Sequence, residues 1–382
     1  MKAILNHNKL AQAILYTSRC VSSKPNIPIL SNVYISASSE GISLYATNLE
    51  ISISMWIPGL IEEEGKTTVS AKYLADFLSA SKSDKVTLEL VGNSLKVTLD
   101  KSKATFNTIN HEEYPITKDT DKNFIFKIKK QNFISCMDKI LFACSTDNSI
   151  SKIQQTGVFV EALNESRISL VGLDGIRLSL KNCDVTGLNT KNFLQGIIIP
   201  AKYISEFIKI VDSDYYQSDE IEFYLSSNNS QVVLKYEDIE FSIRLIDGNY
   251  PDYKKILPDS YIYRFIVDKN EIEDAVRVVN TFARGSFAFK TLFDFDSDTG
   301  EILMKSSVSE IGENEYFLNV EEPEGDGKLE SAYNIKLLQD VISKIKTGKI
   351  IFETKGPLAA TVIKDQSDDD FLHLLMPLRR EE

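Results

Sequence analysis

Asp174 beside Gly175, and the runs Glu62-Glu63-Glu64 and Asp368-Asp369-Asp370, are the groups in this 382-residue chain best suited to proton transfer or cation binding. Acid–base catalysis needs more than carboxylates. It needs a nucleophile with its base, a glycine loop around a phosphate, or a metal cluster. The sequence offers no Ser/His/Asp order and no phosphate-cradling glycine loop. Its histidines (His7, His111, His373) are far apart, and its four cysteines (Cys20, Cys136, Cys144, Cys183) show no CxxC spacing. A zinc site has little material, and the cysteines read as buried reduced thiols. Gly65 and Gly248 read as turn glycines, and Asp368 to Asp370 as a solvated loop. No catalytic residue, metal or cofactor is expected, which leaves binding as the function to explain.

Binding directs attention to charge. The net charge is −12, which repels nucleic acid unless the cations are gathered on one face. They are not spread evenly. From His7 to Ser39 there is no acidic residue, while Lys9, Arg19 and Lys24 are present. Further lysines (Lys72, Lys82, Lys85; Lys202, Lys209; Lys336, Lys344, Lys346, Lys349) lie in or just after segments with helical periodicity, with Asp76, Glu206 and Asp340 among them. Acidic residues crowd the connections and strand-like segments, at Glu62 to Glu64, Asp294 to Asp298, Glu321 to Asp326 and Asp368 to Asp370. Lysines on surface helices are commonly no more than solvated charges. Their agreement across corresponding positions gives them weight, because a row of cations suits phosphates. Neither aromatic stacking motifs nor a base-reading helix accompanies them, so contact with nucleic acid should be insensitive to sequence and sensitive to salt.

Those positions correspond because the chain repeats itself. Val69-Ser-Ala-Lys-Tyr-Leu74, Ile199-Pro-Ala-Lys-Tyr-Ile204 and Tyr333-Asn-Ile-Lys-Leu-Leu338 place Lys72, Lys202 and Lys336 about 130 residues apart, a domain-sized period. Each lysine opens an amphipathic helix: Leu74, Phe77, Leu78; Ile204, Phe207, Ile208, Val211; Leu338, Val341, Ile342, Ile345. Hairpins with period-two alternation follow, such as Val86, Leu88, Leu90, the Gly92-Asn93 turn, and Leu95, Val97, Leu99. An earlier helix recurs through Leu10, Ile14, Val21; Phe133, Met137, Ile140, Leu141; and Ile272, Ala275, Val276, Val279. Two helices against mainly antiparallel sheet make each copy α+β, with expected domains 1–120, 121–260 and 261–382. The amino terminus lacks a basic region followed by an apolar run, and no apolar stretch approaches a membrane span, so a cytoplasmic protein is expected.

Along its full length the sequence resembles the bacterial DNA polymerase III beta subunit family, the sliding clamps. The segments that carry the likeness are Pro28-Ile-Leu-Ser-Asn32, Ala46-Thr-Asn-Leu-Glu50, Val69-Ser-Ala-Lys72, Tyr114-Pro115, Leu173-Asp-Gly-Ile-Arg177, Ile199-Pro-Ala-Lys202, Asp247-Gly-Asn-Tyr-Pro-Asp-Tyr253 and Met376-Pro-Leu-Arg379. The resemblance implies a head-to-tail homodimer closing a ring around duplex DNA, sheets outside and helices lining the hole. It further implies a processivity factor for replication that binds the clamp loader, the replicative polymerase and repair proteins through short linear motifs. By the same likeness the dimer contact falls on Phe106, Thr281 and Phe282. A peptide groove falls on Leu173, Gly175, Arg177, Leu178, Pro251, Lys255, Ile256, Ala360, Leu374, Leu375, Met376, Pro377, Leu378 and Arg379. The DNA-facing positions are Lys24, Lys72 and Lys202, to which the charge pattern adds Arg19, Lys152 and Lys336. Ile176 and the extra Arg380-Glu381-Glu382 depart from the family pattern. A scaffold that keeps the fold and groove without riding on DNA is the alternative, and the helix charge separates the two.

Overall fold

The computed structural model describes residues 1–22, 26–116, 121–193, 196–213, 215, 217–308, 312–346 and 348–379. Among them are the helices α1 (His7–Thr17), α2 (Ala71–Ala80), α3 (Lys130–Asp138), α4 (Ala201–Val211), α5 (Lys269–Ala283) and α6 (Ile335–Lys344). Side-chain caps fix three of the starts. Asn6 accepts from the Lys9 N–H, Asp268 from Asn270 and Glu271, and Asn334 from Lys336 and Leu337. Each such cap is worth ~1 kcal/mol.

The expected stripes are the buried ones, with small shifts. α6 buries Ile335, Leu338, Val341 and Ile342, and α5 buries Ile272, Ala275, Val276 and Val279. α4 buries Ile210 where Ile208 was expected. Val21 lies beyond the end of α1, and Ile140 and Leu141 beyond the end of α3.

The chain packs into two compact units. The first comprises 1–131, 185–194 and 202–245, the second 132–184, 195–201 and 246–382. Residues 121–260, expected as one copy, are thus shared between the two. Strand pairing gives the reason. Ile51–Met55 pairs antiparallel with Ile239–Ile243, and Arg177–Lys181 with Phe371–Leu375, so each half of the middle stretch continues a neighbour's sheet.

In the first unit one antiparallel sheet runs through twelve strands. Lys2–Asn6 pairs both with Lys85–Val91 and with the far part of the long strand Ile51–Glu63, which closes the amino-terminal strands on themselves. The expected hairpin at Gly92-Asn93 is present, with Val91 opposite Ser94. α1 packs on α2; its Tyr16 meets Ser213 just past α4, and Arg19, just past α1, pairs with Glu206 of α4.

The second unit holds a nine-stranded and a four-stranded sheet. α5 and α6 pack together over a core that includes Val267, Ile272, Val279, Ile342, Phe371 and Leu375.

Two expectations are corrected. Asp368 to Asp370 open the strand Asp368–Leu375, and are not a solvated loop. Cys136 on α3 and Cys183 on the strand Arg177–Asp184 form a disulfide, while Cys20 and Cys144 are free and buried. The pair is 47 residues apart in sequence, so no local spacing could announce it. Burial pushes the Cys144 thiol up to about 12, so it stays protonated.

Candidate functional site

The residues expected to form a peptide groove at the carboxyl-terminal end all belong to the second unit. The strand Arg167–Leu173 turns back into Arg177–Asp184 through Asp174 and Gly175. Gly175 sits at φ 91°, a backbone region that suits glycine. Asp174 Oδ1 accepts from the N–H groups of Ile176 and Arg177 at 2.9 and 3.0 Å, which locks the turn. Arg177 is held at both ends, by Asp174 Oδ2 at 3.0 Å and by Asp340 of α6 at 2.6 Å.

The last strand lies alongside, and the chain beyond it is tied down by backbone hydrogen bonds. Met376 N–H donates to the Ile176 carbonyl at 2.9 Å, and Leu378 N–H to the Ala332 carbonyl at 2.7 Å. Leu173, Leu178 and Leu374 are buried in one cluster with Val171 and Tyr253, and Ala360 is half-buried against it. Tyr250 stacks on Phe159 at 4.9 Å and donates to the Val171 carbonyl, which fixes the Pro251 connection. Pro377 and Leu378 are half-buried. Ile176, Lys255, Ile256, Met376 and Arg379 remain exposed, Lys255 beside Asp252 at 2.8 Å. An apolar floor with a mixed rim suits an extended peptide.

One residue of the expected set points elsewhere. Leu375 is fully buried in the core under α5 and α6, because successive side chains of a strand alternate and Leu374 takes the groove side. Exposed Leu358, two residues before Ala360, was not singled out, and nothing in its local sequence pattern marks it.

Behind the groove lies a polar layer that sequence reasoning also missed. His373 is fully buried, with Nδ1 2.7 Å from Ser179 Oγ and its ring stacked on Phe142 at 5.3 Å; the Arg177 guanidinium lies 5.3 Å from the Phe142 centroid. Burial, helped by the Arg177 charge, pushes His373 down to about 3. The folded chain keeps this imidazole neutral while the unfolded chain protonates it near 6.5. Its contribution to stability is therefore complete above pH 6.5 and lost as pH falls toward 3. Lowering pH from 7 to 5 is expected to cost up to ~2 kcal/mol through this group. Denaturant melts at both pH values on the protein and on His373→Gln measure it; an unchanged pH difference in the variant would remove His373 as the cause.

The cations divide into those paired with a carboxylate and those with no ion pair among the described residues, although Lys202 lies over the Tyr203 ring and Lys336 over the Phe289 ring. Lys72, Lys202 and Lys336 each stand at the second residue of their helix (α2, α4, α6) and are exposed. Arg19 pairs with Glu206 at 3.4 Å and Lys152 with Asp147 at 3.6 Å, so both carry less free charge to phosphates. Lys24 lies outside the described residues, as do Arg380, Glu381 and Glu382. α5 departs from the basic pattern: Glu271, Glu273 and Asp274 outnumber Lys269 and Arg277.

Two of the sheet edges left open among the described residues lie near the expected dimer-contact residues. Lys103–Ile109 pairs with Ser94–Thr98 on one side, and on the other only Thr108 and Ile109 are paired. Gly312–Asn319 is an outer strand, paired only with Glu301–Val308. Phe106, on the first edge, is half-buried against Phe77 at 5.9 Å. Thr281 is exposed and Phe282 half-buried at the end of α5.

Comparison with known proteins gives this arrangement its family. The N-terminal, central and C-terminal domains of the DNA polymerase III beta subunit match residues 1–118, 127–252 and 254–379 in turn. The chain belongs to the DNA polymerase III beta subunit family. It is 25% identical over 388 residues to the beta sliding clamp of Rickettsia bellii, covering 99% of this chain and 100% of that one. The beta sliding clamp of Bacillus subtilis is 24% identical over 390 residues at the same coverage. Among solved structures, the Bacillus subtilis DNA polymerase sliding clamp superposes with a TM-score of 0.92 at 22% identity, covering 100% of both chains. A sliding clamp from Pseudomonas aeruginosa bound to griselimycin superposes at 0.90 with 21% identity, again over 100% of both. The three family domains restore the expected threefold division at the level of sequence, even though the middle one is shared between the two packed units.

Proposed function

We propose that this chain is a DNA sliding clamp of replication that works as a head-to-tail homodimer. The observation that carries this reading is the succession of all three family domains over the whole chain, together with Lys72, Lys202 and Lys336 at the same exposed position of α2, α4 and α6. Three equivalent cations in a chain of net charge −12 give phosphates a place to sit without reading bases. Lys24 and, more weakly, Arg19 and Lys152 extend that set.

In this reading the clamp has no catalytic group or cofactor of its own. It tethers a polymerase, the clamp loader and repair proteins through the carboxyl-terminal groove, where Leu173, Leu178, Leu374 and Ala360 form the floor and Ile176, Ile256 and Met376 the rim. Arg177 takes polar groups of the peptide while Asp174 and Asp340 hold it in place. Griselimycin, which one family member binds, is expected to occupy the same groove and to lose affinity at least tenfold with Met376→Ala, the cost of removing one well-packed apolar contact.

The function is tested by topology. Loaded on nicked circular DNA, the protein should stay bound through a wash at high salt, since a closed ring needs no ionic contact to remain linked. Cutting the circle should release it from the ends. Retention on linear DNA, or loss from the closed circle in salt, would show ordinary electrostatic binding instead. The double variant Lys72→Glu with Lys202→Glu removes two such lysines from each of the two chains, and should lower loading and flatten its salt dependence by up to about four units of the logarithmic slope.

A further inference from the structure

The turn that shapes the carboxyl-terminal groove occurs a second time, inside the first unit. There the strand Gly41–Thr47 turns into Ile51–Glu63 through Asn48, Leu49 and Glu50. The two turns agree bond for bond. Thr47 pairs with Ser52 as Leu173 pairs with Leu178. Asn48 Oδ1 accepts from Glu50 and Ile51 at 3.0 and 2.9 Å, as Asp174 does from Ile176 and Arg177. Leu49 has φ 76° where Gly175 has 91°. The Arg244 N–H donates to the Glu50 carbonyl at 2.9 Å, as Met376 does to Ile176. Tyr114-Pro115 braces the first turn as Tyr250-Pro251 braces the second: the Tyr114 hydroxyl accepts from Thr47 N–H and donates to the Asn32 carbonyl.

This repeated turn borders a cleft of about 220 Å³, lined by Leu49, Glu50, Ser52, Ile116, Gln231 and Ser242 among others. Every lining residue belongs to the first unit. Leu49 is the most informative of them. The turn imposes a positive φ here, as it does at Gly175, and a leucine in that region stores backbone strain; this one is also 53% exposed, so burial does not account for the choice of leucine. Ile116, across the cleft, is exposed as well. Glu50 is the charged residue in the lining, and it forms no ion pair among the described residues. Polar Ser52, Gln231 and Ser242 supply hydrogen-bonding groups where the carboxyl-terminal groove is floored by leucines.

We propose that this cleft is a second peptide-docking site, which takes a short extended segment carrying one apolar and one cationic side chain. Leu49 and Ile116 grip the apolar side chain, and Glu50 pairs the cation. The cleft is small for a folded partner or a drug-sized ligand, which fits two or three residues of an extended chain. The inference rests on reading the carboxyl-terminal groove as a peptide site, since the occupant's chemistry is taken from that likeness.

Methyl-labelled isoleucine spectra of the intact dimer distinguish the two sites. The probes are acetyl-Leu-Lys-Gly-amide, its Glu-for-Lys counterpart, and griselimycin. The lysine peptide should move the Ile51 and Ile116 signals, and the glutamate peptide should bind them about fivefold more weakly, as should Glu50→Gln bind the lysine peptide, the effect of one exposed charge pair. Leu49→Gly should weaken binding further without harm to the fold, because Gly175 shows that glycine suits this turn. Shifts from the lysine peptide confined to Ile176 and Ile256, or affinities unchanged by Glu50→Gln and Leu49→Gly, overturn the proposal. Griselimycin is the control for the other reading. If it leaves Ile176 and Ile256 unmoved while the lysine peptide moves Ile51 and Ile116, the carboxyl-terminal assignment fails and the cleft stands.

Discussion

Lys139→Met is expected to cost the protein about 3 kcal/mol of stability, the penalty for breaking a buried ion pair from one side. Lys139 keeps 8% of its side-chain surface and reaches Asp368 at 2.6 Å and Asp365, itself 2% exposed, at 3.7 Å. Lys181 joins at 2.6 Å from Asp368, and Arg167 pairs with Asp370 one turn of the pleat further on. Burial works against ionisation of Asp368, yet the hydrogen bonds from Lys139 and Lys181 outweigh it and hold its carboxyl below the usual range. Removing Lys139 leaves two carboxylates in a poorly solvated place with one cation fewer between them. Converting Asp368 to asparagine in the same background should recover part of the loss, because the uncompensated charge is then gone. Urea unfolding of the single and double variants decides it. A loss below about 1 kcal/mol, or no recovery in the double variant, would mean that water reaches the network and screens it. Since Asp368 is depressed in the folded chain, its share of stability is present above its unfolded value near 3.8 and fades as pH falls below it.

How much of this was legible in the sequence depends on the range of the interaction. Helical stripes are local, and Leu338, Val341, Ile342 and Ile345 could be read directly because every third or fourth residue faces the core. The turn at Asp174-Gly175 was legible for the same reason, as a short motif with its own hydrogen bonds. Pairings at long separation left no such trace. The Lys139 network joins α3's end to a strand more than two hundred residues away, and Cys136 meets Cys183 only through packing of a helix on a strand. Charge is an intermediate case. The lysines at the second position of α2, α4 and α6 could be aligned by eye, but whether a cation is free depends on partners such as Glu206 and Asp147, which the sequence does not place beside Arg19 and Lys152. Leu375 shows the limit at a groove wall: neighbouring leucines in a strand take opposite faces, and the register that decides which one enters the groove is set by pairing with Arg177–Lys181.

Phe287→Asp combined with Thr281→Asp should convert the dimer to monomer at micromolar concentration while leaving each chain as stable as before. Phe287 is 89% exposed just past the end of α5, beside an open cleft bordered by Gly285, Val308 and Gly312. A phenylalanine held so fully in water gains nothing for its own chain, so its replacement should change folding stability by no more than ~0.5 kcal/mol. At an interface the same ring is a buried anchor, and losing it while introducing a carboxylate is worth ~2 to 4 kcal/mol at each joint, roughly thirtyfold to a thousandfold per joint in the dissociation constant. In the proposed dimer the complementary surface would be the open edge Lys103–Asn107 with Phe106, which a second chain could extend by pairing with its outer strand Gly312–Asn319. Head-to-tail contact of these two unlike surfaces closes a ring only if both copies offer both, so a single defective surface on every chain breaks both joints at once. Sedimentation or light scattering gives the mass, and retention on circular DNA gives the consequence. A variant that stays dimeric would move the closing contact away from the end of α5; one that becomes monomeric yet remains on closed circles in high salt would separate DNA retention from ring closure altogether.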